Sequence, residues 1–138
     1  MRRAGRLVVL VASLASCAPS QGEVPIAMLD RNEFATRVQP ILAERCANPS
    51  CHGRPDRPLS LYAPLRHRED PNRVFLDEPL TDAELRHNWA ASCAQGEALA
   101  QKPFGEPGGS YHGGGVVFDG PTDEGYRTLR AWLDGARR

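Results

Sequence analysis

The sequence predicts a small all-α domain of about three main helices with long loops, and three observations carry that expectation. Apolar residues recur at helical spacing in three separate stretches, Phe34 to Leu42, Leu85 to Cys93 and Tyr126 to Leu133. Prolines number 12 and glycines 13 in 138 residues, well above their usual combined share of roughly 12%, so much of the chain is loop. From Cys51 onward, Pro55, Pro58, Pro64, Pro71 and Pro79 recur too often for any regular element of length to pass between them.

The chain opens with Arg2, Arg3 and Arg6, an apolar run from Leu7 to Leu14, and then Leu14-Ala15-Ser16-Cys17. A positive start, a short apolar stretch and small residues before a cut describe an export signal, too short to span a membrane. Arg2-Arg3 lacks the surrounding pattern of a twin-arginine signal. A cysteine directly after Leu-Ala-Ser resembles the lipobox of bacterial lipoproteins, which implies that Cys17 becomes the acylated first residue of the mature chain; the alternative is a plain secretory signal. The expected organisation is a signal peptide at 1–16, a lipidated linker at 17–30 and one domain at 31–138. Removing three arginines from a balance of 17 basic and 17 acidic residues leaves a mature charge of about −3. With no basic stripe, nucleic acid is not an expected partner.

In the domain, Phe34, Val38, Ile41 and Leu42 predict a first helix, with Asn32 or Asp30 as its cap. Pro40 either kinks it or begins a new helix in its first turn. The helix is expected to end at Cys46. In the proline-rich stretch that follows, Leu59, Leu61, Tyr62 and Leu65 are candidates to cover a cofactor or simply to pack on neighbouring helices. A second helix opens at Thr81, where Thr81-Asp82-Ala83-Glu84 has capping-box spacing and Leu85, Trp89 and Cys93 share a face. A last helix from about Asp123 to Gly135 carries Tyr126, Leu129, Trp132 and Leu133 as one stripe that packs on the first helix.

The most informative string is Cys46-Ala47-Asn48-Pro49-Ser50-Cys51-His52-Gly53. Two cysteines with a histidine immediately after the second is the arrangement that anchors a c-type haem: each thiol adds to a vinyl group and the imidazole meets the iron. The usual gap between the cysteines is two residues; here it is four, with Asn48 and Pro49 expected to fold the extra residues into a turn. The competing reading is a local disulfide between Cys46 and Cys51 with His52 on the surface, in a haem-free, disulfide-stapled lipoprotein. Haem would also supply buried apolar surface that a loop-rich chain is short of.

An iron held by His52 has a sixth position. Met28 lies upstream in the linker, His67 sits among charges, and His87 stands on the second helix beside Arg86. His112 differs, because Gly108, Gly109, Gly113, Gly114 and Gly115 strip its flanks of side chains and allow close approach to a flat macrocycle. His112 is therefore the expected second ligand, with an incidental loop histidine as the alternative. Arg54, Arg57, Arg66 and Arg73 are candidate partners for haem propionates, with simple solvation at the surface as the alternative.

The pattern Pro40-Ile41-Leu42, Cys46, Cys51-His52-Gly53, Lys102-Pro103, His112 to Gly115, then Tyr126, Leu129, Trp132 and Gly135-Ala136 resembles the small cytochrome c-like domains of exported planctomycete and myxobacterial proteins. The likeness covers residues 32 to 136. It implies one covalent haem c, Cys46 and Cys51 as thioether anchors, His52 as proximal ligand and attachment outside the cytoplasm. The four-residue gap and the extra Cys93 depart from the family pattern. The function this implies is a membrane-anchored c-type cytochrome, an electron carrier rather than a catalyst, serving a redox partner protein. It would be periplasmic or cell-surface, with Ala18 after the lipid cysteine favouring the outer membrane. A haem enzyme or gas sensor with an open sixth site is the alternative. Zinc on Cys46, Cys51, His52 and Cys93 is disfavoured, since free thiols are fragile in an oxidising compartment.

Overall fold

The computed structural model describes residues 29–104 and 112–135. The signal peptide, Cys17, Met28 and nearly all the linker lie outside the described residues, as do Gly108 and Gly109. The described chain is mostly helical and contains no strand; an isolated antiparallel bridge joins Ala63 and His67.

The first helical arm has three consecutive parts: α1 at Arg31–Glu33, a π-helical turn at Phe34–Val38, and α2 at Gln39–Arg45. Asp30 caps it, its carboxylate accepting from the Glu33 N–H at 2.6 Å. Pro40 falls in the first turn of α2, and the wider turn before it lets the Gln39 N–H reach back to the Phe34 carbonyl. A proline ring would otherwise press on the carbonyl four residues earlier; one inserted π-turn relieves that contact without breaking the arm. The arm ends at Cys46, as its sequence predicts.

Helix α3, Asp82–Gln95, starts from a complete capping box between Thr81 and Glu84. Its inward face differs from the expected one. Glu84, Asn88, Ser92 and Cys93 are buried, while Leu85 and Trp89 are only half-buried. The reason is polar: Glu84 pairs with Arg68, and Asn88 bonds both Gln39 and the Tyr62 backbone, so this face holds the preceding loop against the helices. A short helix α4, Ala98–Phe104, adds to the three expected from sequence; it follows Gly96, whose φ of 51° reverses the chain after α3. Helix α5, Glu124–Gly135, is strongly amphipathic and buries Leu129, Trp132 and Leu133. Trp132 packs on Phe34 with ring centres 5.3 Å apart and donates its indole N–H to the Asp30 carbonyl at 2.8 Å, clamping the last helix to the first.

These contacts form a continuous apolar core that includes Phe34, Leu42, Leu61, Phe118, Leu129 and Trp132. Each such side chain contributes about 1.5–3 kcal/mol when fully buried. The domain thus has a protein core of its own, beside the cleft described next.

Candidate functional site

The Cys46 to Gly53 string forms a tight loop at the end of α2. Asn48 organises it, its side-chain oxygen accepting from the Ser50 N–H at 2.9 Å and the Ser50 hydroxyl at 2.7 Å. Its carbonyl takes the N–H groups of Cys51 and Gly53, and the His52 N–H returns to the Cys46 carbonyl. The four intervening residues therefore fold back on themselves, as the turn formers imply. Gly53 lies so close to the incoming strand of chain that a Cβ there would stand 2.3 Å from the Ala47 carbonyl oxygen. The glycine after the histidine is a packing requirement.

Cys46, Cys51 and Cys93 are free thiols, so the local disulfide is not formed. Burial pushes the thiols of Cys46 and Cys93 up to about 11, which keeps them protonated and poor ligands for a metal ion. Among the described residues no three His, Cys, Asp or Glu side chains converge to hold a metal, and the zinc set of Cys46, Cys51, His52 and Cys93 is not assembled.

His112 stands opposite His52. Their rings are nearly parallel, 14° apart in plane, with centres separated by 6.1 Å. Each ring is oriented in the same manner. His52 Nδ1 lies 2.8 Å from the Leu59 carbonyl and His112 Nδ1 lies 2.7 Å from the Gly115 carbonyl. A carbonyl only accepts, so in each ring Nδ1 carries a proton, and in the neutral form Nε2 keeps the free lone pair. Burial, opposed by the Leu59 hydrogen bond and reinforced by the neighbouring His112, lowers the His52 pKa and favours that neutral form.

The two supports differ. Leu59 belongs to a buried segment packed in the core, whereas Gly115 closes a turn of His112's own, in which the Gly115 N–H also bonds the His112 carbonyl at 2.9 Å. Gly115 has a φ of 73°, the left-handed region that such a turn needs. The Val117 N–H anchors this turn to the Pro103 carbonyl of α4 at 2.7 Å.

Two cavities border the histidine pair. The larger, about 270 Å³, is lined by Cys46, Cys51, Arg57 and Gly113 among others; the smaller, about 40 Å³, by Cys46, Leu59, Leu99 and Lys102. His52 and His112 border both. Asp123 braces the cleft from behind: it holds Arg45 at 2.8 and 3.0 Å, and accepts the Tyr126 N–H at the start of α5. Those bonds keep its carboxyl down at about 2.

The other candidates stand elsewhere. His67 and His87 both pack on Tyr62, at 4.7 and 4.8 Å, and bond the carbonyls of Leu61 and Ser60. Of the four arginines, Arg54 pairs with Asp56, Arg73 with Glu78, and Arg66 donates to the carbonyls of Ala43 and Glu44; only Arg57 lines the cleft. Leu59 borders the cleft, Leu61 is core, and Leu65 is exposed with a φ of 59°. No family model, curated protein or solved structure matches the chain.

The residues present fit a haem iron in two respects. Imidazoles bonded from opposite sides to one metal, at about 2.0–2.1 Å each, place their ring centres about 6 Å apart, and the pair here is separated by 6.1 Å. Metal-bound histidines also give their second N–H to a fixed acceptor such as a backbone carbonyl, and both of these do.

Proposed function

We propose that this chain is an exported one-electron carrier of the cytochrome c-like type, with one haem attached through Cys46 and Cys51 and ligated by His52 and His112. The observation that carries the reading is the pair of facing imidazoles, each with Nδ1 committed to a carbonyl and Nε2 free. When bound, the haem supplies one-electron redox chemistry at iron.

The chain's own part is to hold the group and govern access to it. Cys46 and Cys51 border the cleft with free thiols. His52 is fixed from the core through Leu59, and His112 is fixed by its glycine turn. A haem enzyme or gas sensor requires an open sixth position; an imidazole facing His52 favours the carrier. Acylation at Cys17, anchorage to a bacterial membrane and transfer to a protein redox partner belong to the same proposal and rest on the sequence.

The test is attachment. The protein, produced with its signal in a host that matures c-type cytochromes, should carry haem that survives denaturing electrophoresis. Changing both Cys46 and Cys51 to Ala should abolish that haem while leaving helical circular dichroism, because Phe34, Leu129 and Trp132 hold the first arm against α5 without lining the cleft. A wild-type protein with no covalent haem, or a double variant that retains it, contradicts the proposal.

A further inference from the structure

The first arm and α3 point the same way. Arg31 pairs with Asp82, which joins the start of the arm to the start of α3. Each element then runs about 20 Å, at 1.5 Å per residue, before it reaches the cleft, the arm at Cys46 and α3 at Gln95. The domain therefore has a cleft end and an opposite end, and the chain enters at the opposite end through Leu29 and Asp30.

That end also carries the most exposed large apolar side chain among the described residues. Phe75 is 87% exposed, and Leu76 beside it 42%. Their loop is firmly built: Asp70 caps the turn at Pro71–Arg73, the Leu76 N–H bonds the Arg73 carbonyl at 3.1 Å, and Arg73 holds Glu78 at 2.7 Å. Arg68 fixes the carbonyls of Glu78 and Pro79 just ahead of Thr81 and Asp82. Phe75 lies within about 10 Å of that foot, the reach of the chain from Glu78. An aromatic side chain held out in water by a fixed loop gains free energy when an apolar phase receives it.

The tether identifies that phase. Residues 18 to 29 span at most about 40 Å, so an acyl group on Cys17 keeps the entry end near the bilayer. A tether alone leaves the domain free to turn, but it holds the loop at high local concentration beside lipid, where a small apolar contact selects one orientation. Attraction to anionic headgroups plays no part. Arg31 and Arg86 are both engaged by Asp82 and Arg73 by Glu78, while Glu69, Asp70 and Asp77 are exposed acids. A redox partner gains nothing at this end, because the cleft is at the other.

We infer that Phe75 and Leu76 insert into the surface of the bilayer that carries the acylated Cys17, as a second membrane contact that turns the cleft away from lipid. The inference rests on the acylation reading above and is independent of the haem.

Photo-crosslinking tests it. p-Benzoylphenylalanine replaces Phe75 in one acylated mature chain and Val116, exposed beside the His112 turn at the cleft end, in another. Each is placed in phosphatidylcholine vesicles and irradiated. Position 75 should give a lipid adduct and position 116 none, and high salt should leave the adduct in place because an apolar insertion is not screened. Equal lipid adducts from both positions, none from position 75, or an adduct that salt removes overturns the inference. So does crosslinking of position 75 to a second copy, or to another protein in irradiated cells, in place of lipid. A chain whose mass shows Cys17 unacylated refutes that reading alone. A histidine tag ahead of Ala18 then holds the chain on nickel-chelating lipid in the same vesicles, and the two positions decide the inference as before.

Discussion

Glu84 and Arg68 show how much of this domain rests on single side chains. Their side chains are 1% and 0% exposed, and the guanidinium meets both carboxylate oxygens at 2.9 Å. Arg68 also donates to the carbonyls of Glu78 and Pro79, while Glu84 accepts from the N–H groups of Glu69 and Thr81. Burial alone would raise the Glu84 carboxyl, but these hydrogen bonds outweigh it and hold it at about 2, against an ordinary 4.5. Such a group contributes stability that is fully present above its unfolded value and is lost as pH falls through the folded one. The wild type should therefore lose stability between about pH 4.5 and 2. Glu84→Gln leaves Arg68 buried without its anion and should cost about 3–5 kcal/mol at neutral pH. It should also flatten the acid limb, and chemical denaturation across pH measures both effects. None of this was legible beforehand. Glu84 was readable as a capping residue, but its partner lies 16 residues away across a loop with no periodicity.

At the scale of elements, the turn in the Cys46 to Gly53 loop was legible from its own residues. Asn48 and Pro49 announced the turn, and the structure adds the reason for Gly53. Gly53→Ala would place a methyl group 2.3 Å from a backbone oxygen. Since both sides are main chain, the loop itself must shift. The expected cost is about 1–3 kcal/mol, the usual range for overpacking, accompanied by a lower yield of loaded protein; thermal melting and haem content per chain measure the two. An unchanged melting temperature would show that the loop relaxes freely. The helices themselves were legible where one face is apolar, as in α5, and less so where a polar face turns inward, as in α3. Helix α4 is short and holds Pro103, so the sequence carries no helical periodicity for it. The π-turn before Pro40 reconciles two sequence readings, a kink and a fresh start, in one continuous arm.

For the molecule as a whole, the sequence suggested a chain that leans on its cofactor for a core. The structure has an apolar core joining the first arm to α5, and Cys46, Leu59 and Leu99 of that core also line the cleft between the Cys46 loop, α4 and the His112 turn. That arrangement explains how two distant histidines are brought face to face: His52 is held by the core through Leu59, and His112 by a turn fastened to α4. The glycines beside His112 singled it out in sequence, but its orientation depends on the Val117 to Pro103 bond, which no local signal records. The most direct measurement is the spin state and carbon monoxide reactivity of the loaded protein, before and after His112→Ala. If His52 and His112 both ligate the haem, as proposed, the wild type should be low-spin in both oxidation states and slow to take up carbon monoxide. The variant should keep its covalent haem, turn high-spin or water-ligated when ferric, and bind carbon monoxide readily. A wild type that is already high-spin and reactive, or a low-spin iron that His112→Ala leaves unchanged, would contradict the account.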